Sequence, residues 1–156
     1  KGQVTMVSIT FGDARDIAAI MPIMNAAFDP NYGEAWTASQ CLSLLAMPGS
    51  QLLLAAIENQ IVGFALTRWV LDEEELLMIG VDPGFQRQGV ATQIVASIIS
   101  IAKNSGRQNL FLEVRANNSA ANFYTRLGFA AKATRRGYYR GVDGQRFDAT
   151  TMALNF

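Results

Sequence analysis

The sequence predicts a single α/β domain: a mixed sheet of about seven strands with helices on both faces. Three observations carry this. Leu76 to Val81 is an apolar run of strand length, and after a turn at Pro83-Gly84 the residues Val90, Ile94, Val95, Ile98, Ile99 and Ala102 recur at the spacing of one helix face. A second strand-like run, Asn109 to Val114, is reached by a crossover through that helix and so is expected to lie parallel to the first. On either side, β-rich runs are joined by short polar turns, as in antiparallel hairpins. A chain of 156 residues has the length of one domain and can bury roughly two-thirds of its unfolded surface.

Taken in order, Val7 to Phe11 reads as the first strand. Asp13 can cap a helix whose apolar face is Ile17, Ile20, Met21, Met24 and Phe28, with Asp16 favourable to its dipole. Pro22 lies inside that pattern and is expected to kink or interrupt it. A loop follows through Ala35, then Thr37-Ala38-Ser39-Gln40 fits a capping box opening a second helix to about Ala46. Gln51 to Ile57 and Ile61 to Val70 form a hairpin, and the acidic run Asp72-Glu73-Glu74-Glu75 is read as the next turn. After the long helix, Asn104-Ser105-Gly106 is a stop signal. Asn118 caps a short helix with Phe123 and Leu127 facing inward, closed by Gly128. Phe129 to Tyr139 and Phe147 to Leu154 close the sheet, joined through residues 141–144. The domain spans 6–156, and Lys1 to Thr5, ahead of Met6, read as an appended segment.

Composition removes several chemistries. The chain has no histidine, which excludes Ser-His-Asp triads, imidazole bases and His-containing zinc motifs, so no metal is expected. Acid–base work falls to carboxylates, tyrosine, main chain or water. A formal net charge of zero gives nucleic-acid binding no electrostatic support. No apolar run is long enough to span a bilayer and no signal-peptide pattern opens the chain. Cys41, the only cysteine, reads as a packing residue on a helix. A cytoplasmic protein is the expectation, with its oligomeric state left open.

The loop from Val81 to Thr92 carries the main chemical signal. It ends a strand and opens a helix, where unpaired N–H groups and the helix dipole suit phosphate. Gly84 and Gly89 have P-loop spacing, but Val90-Ala91 stands where that motif needs Lys and Ser/Thr, and the dinucleotide fingerprint is absent. What remains is Gln86-Arg87-Gln88-Gly89-Val90-Ala91. This resembles the Q/R-x-x-G-x-G/A motif of the GCN5-related N-acetyltransferases (GNAT), whose loop holds the pyrophosphate of acetyl-coenzyme A. The order of elements resembles that fold from end to end. Residues 70–83, 112–118 and 123–129 look like the corresponding segments of RimI-type ribosomal-protein-alanine N-acetyltransferases. Arg135-Arg136-Gly137-Tyr138-Tyr139 is similar to the double-tyrosine ending of protein N-terminal acetyltransferases. The likeness is close over residues 70–154 and holds only by pattern over the first 60. Two departures are Ala91, where many members carry glycine, and a Tyr124 helix that starts one residue closer to Glu113.

The resemblance implies acetyl transfer from acetyl-coenzyme A, as co-substrate, to the N-terminal α-amino group of a protein, an alanine of a small-subunit ribosomal protein in the RimI type. Ile79, Gly80 and Val81 are expected to pair with the pantetheine arm as an added strand, the Val81 N–H polarising the acetyl oxygen. Arg87, Gln88, Gly89, Val90, Ala91 and Thr92 would cradle the pyrophosphate, and Asn118 would touch the coenzyme arm. Glu113, at the end of its strand, is the candidate base, directly or through water, against a plain ion-paired glutamate. Tyr124 is the candidate proton donor to the leaving thiolate, against aromatic packing beside Phe123. Tyr138 and Tyr139, with Trp36 opposite, are candidates for the acceptor wall, against core packing. The acidic run suits a basic protein substrate, or is a solvated turn. Two other functions stay open: a relative acting on a small amine, and a non-catalytic acyl-coenzyme A sensor.

Overall fold

The computed structural model describes residues 6–156, and the expectation for Lys1 to Thr5 lies outside them. Seven strands and four helices alternate as β1 (Ser8–Gly12), α1 (Ile17–Ala27), α2 (Ala38–Leu45), β2 (Ser50–Ile57), β3 (Gln60–Val70), β4 (Glu73–Val81), α3 (Val90–Asn104), β5 (Asn109–Arg115), α4 (Ala120–Arg126), β6 (Ala130–Arg140) and β7 (Arg146–Asn155). They build one mixed sheet in the order β1-β2-β3-β4-β5-β7-β6. Only β4 and β5 pair in parallel, as the crossover through α3 requires.

Each face of the sheet buries its own core. On one face, α3 and α4 bring Val90, Ile94, Val95, Ile98 and Tyr124 against Leu76, Leu110 and Leu112. On the other, Ile17, Ile20 and Met24 of α1 and Cys41 and Leu44 of α2 pack on Leu52, Phe64, Leu66 and Met78. Cys41 is fully buried there, as its packing role requires.

Three expectations change. Pro22 lies inside an uninterrupted α1. The carbonyl it leaves without a donor is that of Ala18, an exposed position where water can take its place. The acidic run is a turn only at Asp72, because Glu73, Glu74 and Glu75 belong to β4. They pair with Val70, Trp69 and Arg68 of β3 on one side and with Asn109, Leu110 and Phe111 of β5 on the other. Glu74 is 1% exposed, within 3.6 Å of Arg107. At α4 Tyr124 is buried, and Phe123 and Leu127 face inward as expected, half-buried against the same core. The cap position shifts: Ser119 is the N-cap of α4 and makes no side-chain cap, while Asn118, one residue earlier, accepts the Ala120 N–H on its Oδ1 at 2.8 Å.

The loop between α1 and α2 docks on the β6–β7 hairpin, and glycine permits the contact. Gly33 has φ +67, and a Cβ there would collide with the Arg140 carbonyl, as one on Gly141 would with the Asn31 carbonyl. Tyr32 packs edge-on to Phe147 with ring centroids 5.0 Å apart, and the Arg115 guanidinium lies 3.5 Å from the Tyr32 ring centroid. Gly33→Ala is expected to destabilise the protein by about 1–3 kcal/mol and to expose residues 29–36 to proteolysis. Urea unfolding and limited digestion check this; unchanged values would mean the loop docks without the close glycine approach.

Candidate active site

The site begins where β4 and β5 part. Their parallel pairing runs from Glu73–Asn109 to Leu76–Leu112 and stops, although β4 continues to Val81 and β5 to Arg115. On the β3 side, Leu66 faces Met78 while Thr67 faces Leu76, so Leu77 is an extra residue in β4. A bulge of this kind bends the strand that carries it. The main chain of Ile79, Gly80 and Val81 is then paired to β3 but to no strand on the β5 side. Gly80 sits with its α-carbon against Phe64, where a Cβ would come within 2.7 Å of Cε1.

The gap is a cleft lined by Leu77, Ile79, Leu112 and Val114, with polar groups at both ends. On the α1/α2 side stand Glu34, Trp36, Glu75, Glu113, Tyr138 and Tyr139; towards α4 stand Asn118 and Tyr124. Both candidate catalytic residues and all three candidate acceptor-wall residues therefore line one cavity. Of the proposed coenzyme residues, Ile79 and Asn118 line it too.

Glu113 is held from three sides. Its Oε2 accepts the Thr151 hydroxyl at 2.7 Å, its Oε1 lies 3.5 Å from Arg135 Nη1, and its main-chain carbonyl accepts the Tyr139 hydroxyl at 3.1 Å. Its side chain is 8% exposed and lines the cleft. Tyr124 is wedged edge-on between Phe123 and Phe129, at 5.1 and 5.6 Å between centroids. Burial alone pushes its hydroxyl well above the ordinary tyrosine range. Tyr139 is pushed up in the same direction by burial, then by the charges of Glu34 and Glu113. Tyr138 is raised by burial and by Glu75 and Glu113, against the opposing pull of Arg135. All three phenols are hydrogen-bond donors at neutral pH.

Beyond Val81 the chain turns through Asp82, whose Oδ1 accepts the Gly84 N–H at 2.9 Å. Arg87 and Gly89 then adopt left-handed backbone, at φ +65 and +79. Left-handed residues interleaved at a turn gather N–H groups into a concavity that suits anions. Gly89 is the N-cap of α3, and no side chain caps the helix. Nothing lies within 4 Å of where a Gly89 Cβ would stand, so the turn is open at Gly89, and the first-turn N–H groups of Val90, Ala91 and Thr92 have no partner within the helix. Val90 is 2% exposed and anchors the cradle to the core. Arg87 and Gln88 are exposed beside it.

Glu34, Glu75, Arg135 and Thr151 were not singled out from the sequence as site residues. Alternation along β4 from Leu77 to Glu75 is the local signal that places Glu75 on the α1/α2 face, while the bulge at Leu77 breaks the pattern towards Ile79. Glu34 sits in an aperiodic loop, where pattern gives no direction; it pairs with Arg115 at 3.3 Å.

A model of the acetyltransferase (GNAT) family matches residues 17–129. The [ribosomal protein bS18]-alanine N-acetyltransferase of Escherichia coli K12 is 45% identical over 97 residues, 62% of this chain and 65% of that protein. The match thus spans under two-thirds of that relative's length. The N-alpha-acetyltransferase RimI of Mycobacterium tuberculosis H37Rv is 32% identical over 154 residues, 96% of this chain and 90% of its own. The crystal structure of the Escherichia coli ribosomal-protein-S18-alanine N-acetyltransferase superposes with a TM-score of 0.85 at 34% identity, covering 96% and 94% of the two chains. A Salmonella typhimurium acetyltransferase solved with acetyl-CoA, at 22% identity, TM-score 0.75 and coverage of 96% and 93%, shares the fold.

Gly89→Trp is expected to abolish binding of acetyl-coenzyme A, because bulk would fill the open face of the cradle. Calorimetry on a variant shown to be folded by circular dichroism checks it; unchanged affinity would place the cradle elsewhere.

Proposed function

This chain belongs to the acetyltransferase (GNAT) family, and from that membership and its cleft we propose that it acetylates the N-terminal α-amino group of a protein. Acetyl-coenzyme A is the proposed donor, and the N-terminal alanine of a small-subunit ribosomal protein in the cytoplasm is the proposed acceptor. One observation carries the reading: Glu113 and Tyr124 line a single cleft opened by the parting of β4 and β5. A sensor needs the cradle but neither residue. The relatives named for an alanine N-acetyltransferase support a protein terminus over a small amine.

On this reading the pantetheine arm pairs with the free edge of Ile79 to Val81, the pyrophosphate rests on the N–H groups from Arg87 to Thr92, and Asn118 flanks the arm. The acceptor enters between Trp36 and the Tyr138-Tyr139 pair. The amine attacks the thioester carbonyl, whose oxygen the Val81 N–H polarises. A C–N bond forms, the C–S bond breaks, the amine's proton passes to Glu113, and the departing sulfur is met by the Tyr124 hydroxyl. An α-ammonium has a pKa of about 8, so little help is needed to free it near neutrality. Glu113 is already engaged by Thr151 and Arg135, which favours proton transfer through a water in the cleft. Tyr124, raised by burial, yields its proton to a thiolate of pKa about 8.5 only uphill. Its contribution is therefore a hydrogen bond to sulfur that tightens as charge develops.

Tyr124→Phe is expected to slow the acetyl-transfer step by roughly 10- to 1000-fold with little change in coenzyme affinity. Single-turnover kinetics on an Ala-initiated peptide decide it, and a near-normal rate would reduce Tyr124 to packing. Glu113→Gln is expected to cut kcat/KM sharply near neutral pH and to recover in part above the α-amino pKa of about 8, where the acceptor loses its proton unaided. A constant ratio of variant to parent across pH would remove Glu113 from the base role.

A further inference from the structure

Of the two cleft carboxylates that the reaction does not use, Glu34 is paired with Arg115, which leaves Glu75. It stands opposite Phe111 in the parallel register, so alternation puts Glu113 on the same face of the sheet, one diagonal step along. Both side chains line the cleft. Among the described residues the Glu75 side chain makes no ion pair and no hydrogen bond. Its cross-strand neighbour Arg68 donates instead to the Pro48 carbonyl at 3.2 Å, and Glu34 is taken by Arg115. The one cation that reaches this pair of carboxylates is Arg135 of β6, whose side chain is 57% exposed and 3.5 Å from Glu113.

Two carboxylates share one arginine, so the site is short by one positive charge. We propose that Glu75 is the counter-ion for the acceptor's α-ammonium, and that Arg135 is a displaceable cation holding the place until the acceptor arrives. This rests on the acceptor reading above and extends it to a specificity-determining residue. Two further facts agree. Burial first, and then the charge of Glu113, raise the Glu75 carboxyl, with Arg135 opposing them. The other titratable groups facing this end of the cleft do not supply the missing charge: Tyr138 and Tyr139 are neutral donors, and Glu34 is an acid already paired with Arg115. Arg135 also lies over the Tyr138 ring, 5.2 Å from its centroid, a surface on which it can rest when displaced.

The test is steady-state kinetics at pH 7, below the α-amino pKa of about 8 so that the acceptor carries its charge, on an Ala-initiated peptide, with thermal melts and coenzyme affinity as controls for folding. Glu75→Gln is expected to raise the acceptor KM by about 10- to 100-fold, as for loss of a charge-assisted hydrogen bond, with kcat within about three-fold of the parent. Glu75→Asp should regain part of the loss. A peptide of the same sequence lacking the α-amino group should inhibit the parent at least about ten-fold more weakly than the amine binds, and Glu75→Gln should erase that preference. Arg135→Gln is expected to lower the acceptor KM, and a raised KM would overturn the place-holding role. An unchanged KM in Glu75→Gln, or a loss confined to kcat, would overturn the counter-ion role. A parent enzyme that acetylates no peptide would instead sink the acceptor reading itself.

Discussion

A parallel pair of strands that stops pairing halfway governs most of what this molecule can do. Up to Leu76 and Leu112 the hydrogen bonds between β4 and β5 are made; beyond them the same backbone carries donors and acceptors with no strand to meet. Unpaired main chain beside a core is costly unless water or a ligand satisfies it. The extra residue at Leu77 makes the parting possible, by bending β4 while β3 holds it in register on the other side. The two cores keep the gap open. α3 and α4 pull on one face and α1 and α2 on the other, and neither set of helices needs the missing ladder.

The same parting fixes where the helix begins. β4 runs to Val81, and α3 starts at Val90 after a turn held by Asp82 and by two left-handed residues. One of these is Arg87, which has a Cβ and gains nothing from glycine's freedom. Arg87 itself is exposed, and the chain re-enters the core three residues later at Val90, from which α3 packs through Ile94, Val95 and Ile98. The cradle is thus supported from behind by one of the best-packed elements in the fold.

How far the sequence could be read follows from which signals are local. Helix periodicity, the capping box at Thr37 and the strand–turn–helix around Gly89 each depend on neighbours within a few residues, and each stands in the structure as expected. The run Glu73 to Glu75 misled because charge density usually marks a turn, whereas here long-range pairing with β3 and β5 overrides composition. Pro22 misled for a related reason, since exposure of Ala18, a tertiary fact, decides whether its carbonyl needs the helix. Strand position and the family resemblance mark Glu113 and Tyr124 as candidates, but their sharing one cleft depends on the sheet. Glu34 and Arg135 come from segments far apart in the chain, and no spacing rule connects them.

The side-chain inventory of the cleft also bears on how an acetyl group could pass through it. Relay through the enzyme would need a nucleophile between donor and acceptor, and the lining residues include no cysteine, serine, threonine or lysine. The lone thiol, Cys41, is buried in the α1/α2 core, and burial raises it further from reactivity. The Thr151 hydroxyl is committed to Glu113. The phenols of Tyr124 and Tyr139, pushed up by burial, are poorer nucleophiles than a free tyrosine. A carboxylate would have to accept the acetyl as an anhydride, uphill from a thioester. On the proposed reading the amine must therefore meet the thioester itself. That requirement suits a gap that passes between the two faces of one sheet, with acidic groups on the side where an ammonium enters and a phenol towards α4 on the other.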